Sequence, residues 1–108
     1  MSRKSEGAKR KMDSFTRGRI ERHLDDILTE EVLRSALRMF RKDLAPTVVN
    51  FEDSLFGYII GRIIQFAFDI IMYENKRPPA SEEYVEIWKI VERRALEIKS
   101  KIRTISNI

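Results

Sequence analysis

The stretch FEDSLFGYIIGRIIQFAFDIIMYENK, Phe51 to Lys76, decides the fold of this 108-residue chain. Asn50 ahead of it is a good N-cap, and Glu52 and Asp53 fall in the first turn, where carboxylates favour the positive end of the helix dipole. Lys76 and Arg77 lie past the other end. These signals predict a helix over 51–76, about 39 Å long at 1.5 Å per residue. At 100° per residue, Ser54, Tyr58, Arg62, Gln65, Asp69 and Lys76 form one narrow polar stripe. Leu55, Phe56, Ile59, Ile60, Ile63, Ile64, Phe66, Ala67, Phe68, Ile70, Ile71 and Met72 cover most of the remaining circumference. A helix of that composition has to be surrounded.

Either protein or lipid can surround it. Leu55 to Tyr73 has the length of a membrane span, and Gly57-Tyr58-Ile59-Ile60-Gly61 matches the small-xxx-small pattern of close helix contacts in bilayers. Against lipid, Arg62 and Asp69 each cost at least ~2.5 kcal/mol near a bilayer centre, and the flanking segments supply neither a second span nor an aromatic belt. The expectation is therefore a soluble helical bundle with no membrane contact. Gly57 and Gly61 then mark where another helix comes close.

Outward from this helix, the chain reads as amphipathic. Asp13 or Ser14 caps a first helix over about 14–28, with Ile20, Leu24, Ile27 and Leu28 on one face. Thr29, followed by Glu30 and Glu31, starts a second over 30–43 with Leu33, Leu37, Phe40 and Leu44 inward; the two helices can also merge into one bent helix. Leu44 to Val49 breaks the pattern, because Pro46 disfavours helix at Ala45 and three β-branched residues follow, so an extended connector or short strand is expected. Pro78 and Pro79 force a turn before Ser81, which is expected to cap a last helix over 82–104. That helix carries Tyr84, Trp88, Val91, Ala95, Ile98, Ile102 and Ile105 at alternating steps of four and three, a seam of the coiled-coil kind.

The fold class expected is all-α, a four-helix bundle-like domain over 13–108 built around 51–76. One long and two short helices cover a mostly apolar rod incompletely. Self-association as a homodimer or higher homo-oligomer is therefore expected, through Gly57, Ile60, Gly61, Ile64 and Phe68 of the central helix and Trp88, Val91, Ile98 and Ile102 of the last.

Charge is uneven along the chain. Residues 1–12 hold Arg3, Lys4, Lys9, Arg10 and Lys11 against Glu6, so the net charge of +4 lies entirely there. The segment has no apolar periodicity and reads as a disordered basic arm able to hold DNA or RNA phosphates non-specifically by counterion release. Arg34, Arg38 and Arg41, spaced i, i+4, i+7, form a ridge with Lys42 beside them, the best candidate for a folded nucleic-acid-binding surface. Their long stems also suit the flank of a core helix.

Composition excludes several chemistries. There is no cysteine, hence no disulfide and no thiolate metal site. The polar N-terminus has no signal-peptide pattern, so cytoplasm is the expected compartment. Charged residues make up 35%, Ile outnumbers Leu fourteen to seven and there is one Gln, a balance that leans toward thermophilic proteins. His23, the only histidine, lies one residue before an apolar position on a polar-rich helix and reads as a surface or boundary residue rather than a catalytic base. No glycine-rich phosphate loop is present, no small-molecule ligand, cofactor or metal is inferred, and a non-enzyme is expected.

Two resemblances carry specific expectations. Glu82-Glu83-Tyr84-Val85-Glu86 is similar to the EExxE half-motif of all-α nucleotide pyrophosphohydrolases of the MazG kind, and implies a magnesium-dependent nucleotide hydrolase. That family completes its site with a later ExxD pair; here Glu92 is followed three residues on by Ala95, and Glu97 by Ser100. Separately, residues 30–95 look like the histone fold: a medium helix, a connector, a very long helix, a Lys-Arg turn and a further helix. That resemblance implies two chains clasped through their long helices, DNA as partner, and Arg77 paired with Glu82 or Glu83. The last helix here is much longer than a histone's, and the helix over 14–28 is extra. The remaining alternative is a helical adaptor or small subunit of a larger assembly that binds only protein.

Overall fold

The computed structural model describes residues 11–107 and is all-helical, with four helices. They are α1 (Ser14–Ile27), α2 (Glu30–Asp43), α3 (Phe51–Asn75) and α4 (Ser81–Ser106). Three begin where a short polar side chain satisfies an orphan N–H. Asp13 accepts from the Thr16 N–H, Thr29 from Val32 and Asn50 from Asp53.

The fourth start departs from expectation. Ser81 is already helical, and the capping position is Ala80, which has no side chain to offer. Glu83 takes over: its carboxylate accepts the Ala80 N–H at 2.7 Å and two bonds from the Arg77 guanidinium at 2.7 and 3.1 Å. The guanidinium bonds raise the Arg77 pKa. Glu83 is thus buried because it is paired, as a buried charge must be. At the end of α3, Lys76 adopts a left-handed conformation at φ 56° and donates its N–H to Met72 at 2.9 Å. This closes the helix in the manner usually left to glycine.

Residues 44–50 form no strand. Leu44 to Thr47 turn, the Val48 N–H closes onto the Leu44 carbonyl at 2.8 Å, and only the last three residues before α3 run on without turn or helix. Leu44 lies outside the core, 42% exposed, because the turn carries it past Leu37, the last buried side chain of α2.

The contacts give the topology. His23 stacks on Phe66, with centroids 3.9 Å apart, and Phe40 meets Tyr58 edge-on at 5.6 Å, so α1 and α2 together run antiparallel to α3. Phe68 meets Tyr84 at 6.3 Å and Ser106 bonds Glu52 at 2.7 Å, so α3 and α4 form an antiparallel hairpin. Helices α1 and α2 do not merge: Leu28 and Thr29 separate them, and they follow each other along the groove of that hairpin. The body is elongated, 57 × 23 × 18 Å.

Each helix sends one stripe into a single aliphatic core. It comprises Ile20, Leu24 and Ile27 of α1, Leu33 and Leu37 of α2, Leu55, Ile59, Ile63, Ala67 and Ile71 of α3, and Ile87, Ile90, Ile98 and Ile102 of α4. Burying such a side chain contributes about 1.5–3 kcal/mol against leaving it in water.

The central helix is nonetheless only partly wrapped. It is long and apolar enough to cross a membrane, yet only 33% of its most apolar 18-residue window is buried. One flank holds the core; the opposite flank, carrying Gly57, Gly61, Gln65, Asp69 and Met72, is exposed.

Candidate nucleic-acid interface and self-association face

The basic ridge on α2 is real as a surface. Arg34, Arg38, Arg41 and Lys42 line one open cleft of about 410 Å³, floored by Leu37 and closed on its far side by Ile105 of α4. Helical spacing puts the four cations on adjoining rows, and residues 32–42 contain no carboxylate.

Arg34 is tethered to Glu30, its Nε 2.7 Å from Oε2. Arg41 sits over the Phe51 ring at 6.0 Å, a contact that leaves its charge uncompensated. Among the described residues, Arg38, Arg41 and Lys42 have no carboxylate within salt-bridge distance. By contrast, Arg17, Arg19, Arg77, Arg93 and Arg94 all do.

The surroundings reinforce the sign. Residues 32–54 and 98–107, which make up this end of the body, carry seven cations against three carboxylates, whereas residues 11–31 and 55–97 carry ten against thirteen. A polyanion therefore meets a positive end on a body whose other described residues carry a small excess of carboxylates.

Of the basic arm, Arg3, Lys4, Lys9 and Arg10 lie outside the described residues. Lys11 is exposed and lines a small recess of about 130 Å³ with Asp13, Thr16, Arg77 and Glu83. Met12 is pinned: its N–H donates to Glu86 at 2.7 Å. This fixes the root of the arm beside the start of α4, at the opposite end of the rod from Arg38 and Arg41. Within one protomer Lys11 thus lies at the opposite end of the rod from the Arg38 ridge.

The residues expected at an oligomer interface divide in two. Val91, Ile98 and Ile102 are buried inside the protomer and leave nothing at its surface. The heptad-like seam of α4 is used largely on its own core, which is a correction to the expected interface. Gly57, Ile60, Gly61, Ile64, Phe68 and Trp88 remain exposed or half-buried. They lie along the outer side of the α3–α4 hairpin with Tyr84 and Met72, which are 39% and 40% exposed. A Cβ built on Gly57 or Gly61 meets no atom within 4 Å, so the space over both glycines is open.

Two of the three carboxylates of the EExxE sequence, Glu83 and Glu86, are engaged in structural bonds. Glu83 holds Arg77 and the start of α4, and Glu86 accepts from Arg17 at 3.1 Å as well as from Met12. Among the described residues, no three His, Asp or Glu side chains gather to hold a metal ion. The Arg77–Glu83 pair expected from the histone resemblance is present, and its role here is to start α4.

His23 is half-buried and packed against Phe66. Burial against Phe66 and the nearby Arg62 hold its pKa below the usual imidazole value.

The contact that sequence reading missed is Arg94. Its side chain is 14% exposed and gathers Glu97 at 2.9 Å, Glu21 at 3.1 Å and Asp25 at 2.5 Å, tying α1 to α4. Those bonds raise the Arg94 pKa, and the guanidinium in turn lowers that of Glu97. Glu21 and Asp25 one turn apart on α1 were the available signal. Pairing them with Arg94 required the parallel packing of α1 on α4.

No family model matches this chain, and no curated protein or solved structure matches it, so what it does has to be argued from its own residues.

Proposed function

We propose that this chain is a non-catalytic, self-associating helical protein that associates with nucleic acid through backbone phosphates, using the cationic cleft on α2 and the basic arm before Met12. The observation that carries this reading is the convergence of Arg38, Arg41 and Lys42 on one open cleft without carboxylate partners among the described residues. Three uncompensated cations on one ridge suit a line of phosphates. Contacts to phosphates carry no sequence information, so binding independent of sequence is the expected behaviour. A cytoplasmic setting goes with this reading, and no cofactor is required by it.

The test is titration of a labelled duplex between 50 and 200 mM salt. Each phosphate neutralised contributes about −0.9 to the slope of log affinity against log salt for DNA. Replacing Arg38, Arg41 and Lys42 together by alanine should flatten the slope by about 2.7, equally for unrelated sequences. No binding at the low-salt end, or an unchanged slope, rejects the reading.

A protein-only adaptor is the second reading. What favours it is the exposed apolar group Ile64, Phe68, Tyr84 and Trp88, since aromatic side chains of this kind concentrate at protein interfaces. Self-association without any low-salt nucleic-acid binding selects it.

A further inference from the structure

We infer that the cleft between α2 and α4 takes a single nucleic-acid strand in preference to a duplex, with phosphates on the Arg38 ridge and a base against the apolar floor. The inference rests on the phosphate reading of this cleft and names the form of nucleic acid that fits it.

The cleft is narrow and concave. Its floor is Leu37, its far side is Ile105 of α4, and its volume of about 410 Å³ is that of a small-ligand pocket. Packed helices stand about 8–10 Å apart, which limits the width of any recess between them. A duplex carries its phosphates on a convex surface two strands wide, and spans such a recess without reaching its floor. A single strand has unpaired bases, and can lower one into it.

The two walls differ in the way the two edges of a strand differ. Arg38, Arg41 and Lys42 stand on one wall, within four residues of α2 or about 6 Å of axial rise. The residue described on the α4 side is the apolar Ile105, in place of a second row of cations. A single strand is charged along its backbone and apolar along its bases, so it matches both walls at once.

Apolar surface gathers at the same end of the body. Arg41 lies 6.0 Å over the Phe51 ring, which braces its exposed guanidinium as a flat platform of the kind on which bases stack. The turn after α2 leaves Leu44 42% and Val49 86% exposed, between Lys42 and Phe51 in the chain. Phosphates make no use of these groups; unpaired bases do.

The test compares three labelled probes on the full chain by fluorescence anisotropy: a 12-nucleotide thymidine strand, the same strand without its bases, and a 12-base-pair duplex. At 100 mM salt the thymidine strand should bind about tenfold tighter than either of the others, a factor that one stacked base supplies. Arg41→Lys keeps the charge and removes the flat guanidinium. It should leave the salt slope on the thymidine strand unchanged and bring its affinity to that of the baseless strand. Joint replacement of Arg38, Arg41 and Lys42 by alanine should abolish the preference and flatten that slope by about 2.1, with helical circular dichroism retained.

A preference that survives the alanine replacement overturns the inference, because the strand is then held elsewhere. Equal affinity for all three probes, or a tighter duplex, with a slope that still falls in the alanine variant, overturns this inference and leaves the phosphate reading standing. No binding of any probe at 50 mM salt rejects the phosphate reading and this inference with it.

Discussion

Replacing Arg94 by methionine keeps a long, helix-favouring side chain and removes the guanidinium that joins α1 to α4. The wild-type group bonds Glu97, Glu21 and Asp25 and also reaches the Glu21 carbonyl at 3.4 Å. Asp25 and Glu97 are 61% and 42% exposed, so water and salt screen most of their share. Glu21 is 26% exposed, and its loss of the better-shielded partner is felt more fully, although Arg93 also pairs with it. A charged hydrogen bond of this kind is worth about 1.5–3 kcal/mol. With the screened contacts adding a few tenths, the substitution should cost about 2–3 kcal/mol.

For a domain of about 100 residues that corresponds to a melting point lower by roughly 10–20 °C. Urea denaturation followed by circular dichroism, in the wild type, Arg94→Met, Glu21→Gln and the double variant, measures both the loss and the coupling. The double variant should lose less than the sum of the singles, because both remove the same bond. A loss below about 0.5 kcal/mol, or strict additivity, refutes the idea that this guanidinium holds α1 in place.

Stability should also respond to pH in two steps. His23 has a folded pKa below its unfolded value, so the unfolded chain takes up the proton first; its contribution is complete above pH 6.5 and is lost as pH falls through that value. The urea midpoint should drop between pH 7.5 and 5.5 in the wild type and much less in His23→Phe. Asp13 and Glu97 are held below the ordinary carboxylate range, by the Thr16 N–H and by Arg94, so a second loss should set in below about pH 4 as both are protonated. In Arg94→Met the Glu97 part of that loss should disappear.

Much of the fold is legible in local chemistry. The caps Asp13, Thr29 and Asn50 lie in the sequence where the structure uses them, and the helix limits follow to within a residue or two. The exception at Ala80 is instructive. Ser81 has the better capping side chain, but Glu83 already satisfies the chain there while pairing with Arg77, and the helix starts one residue earlier.

What cannot be read locally is which apolar stripe meets which. Val91, Ile98 and Ile102 suit a seam between copies and a core within one copy equally well. Their assignment follows from the antiparallel return of α4 along α3, a long-range fact. The separation of Lys11 from the Arg38 ridge has the same origin. Both are basic in sequence, and only the succession of α1 and α2 along the hairpin sets them at opposite ends. The polar stripe of α3 is different. Gln65 and Asp69 bond each other at 2.8 Å on the exposed side, so that pair needs no buried partner.

The measurement closest to the heart of the matter is sedimentation equilibrium of the full chain in detergent-free buffer, from 1 to 100 µM. The half-covered central helix predicts a particle of twice the 12.8 kDa protomer mass, reverting to one protomer in Gly61→Trp. A wild-type chain that stays soluble at 12.8 kDa across that range contradicts it.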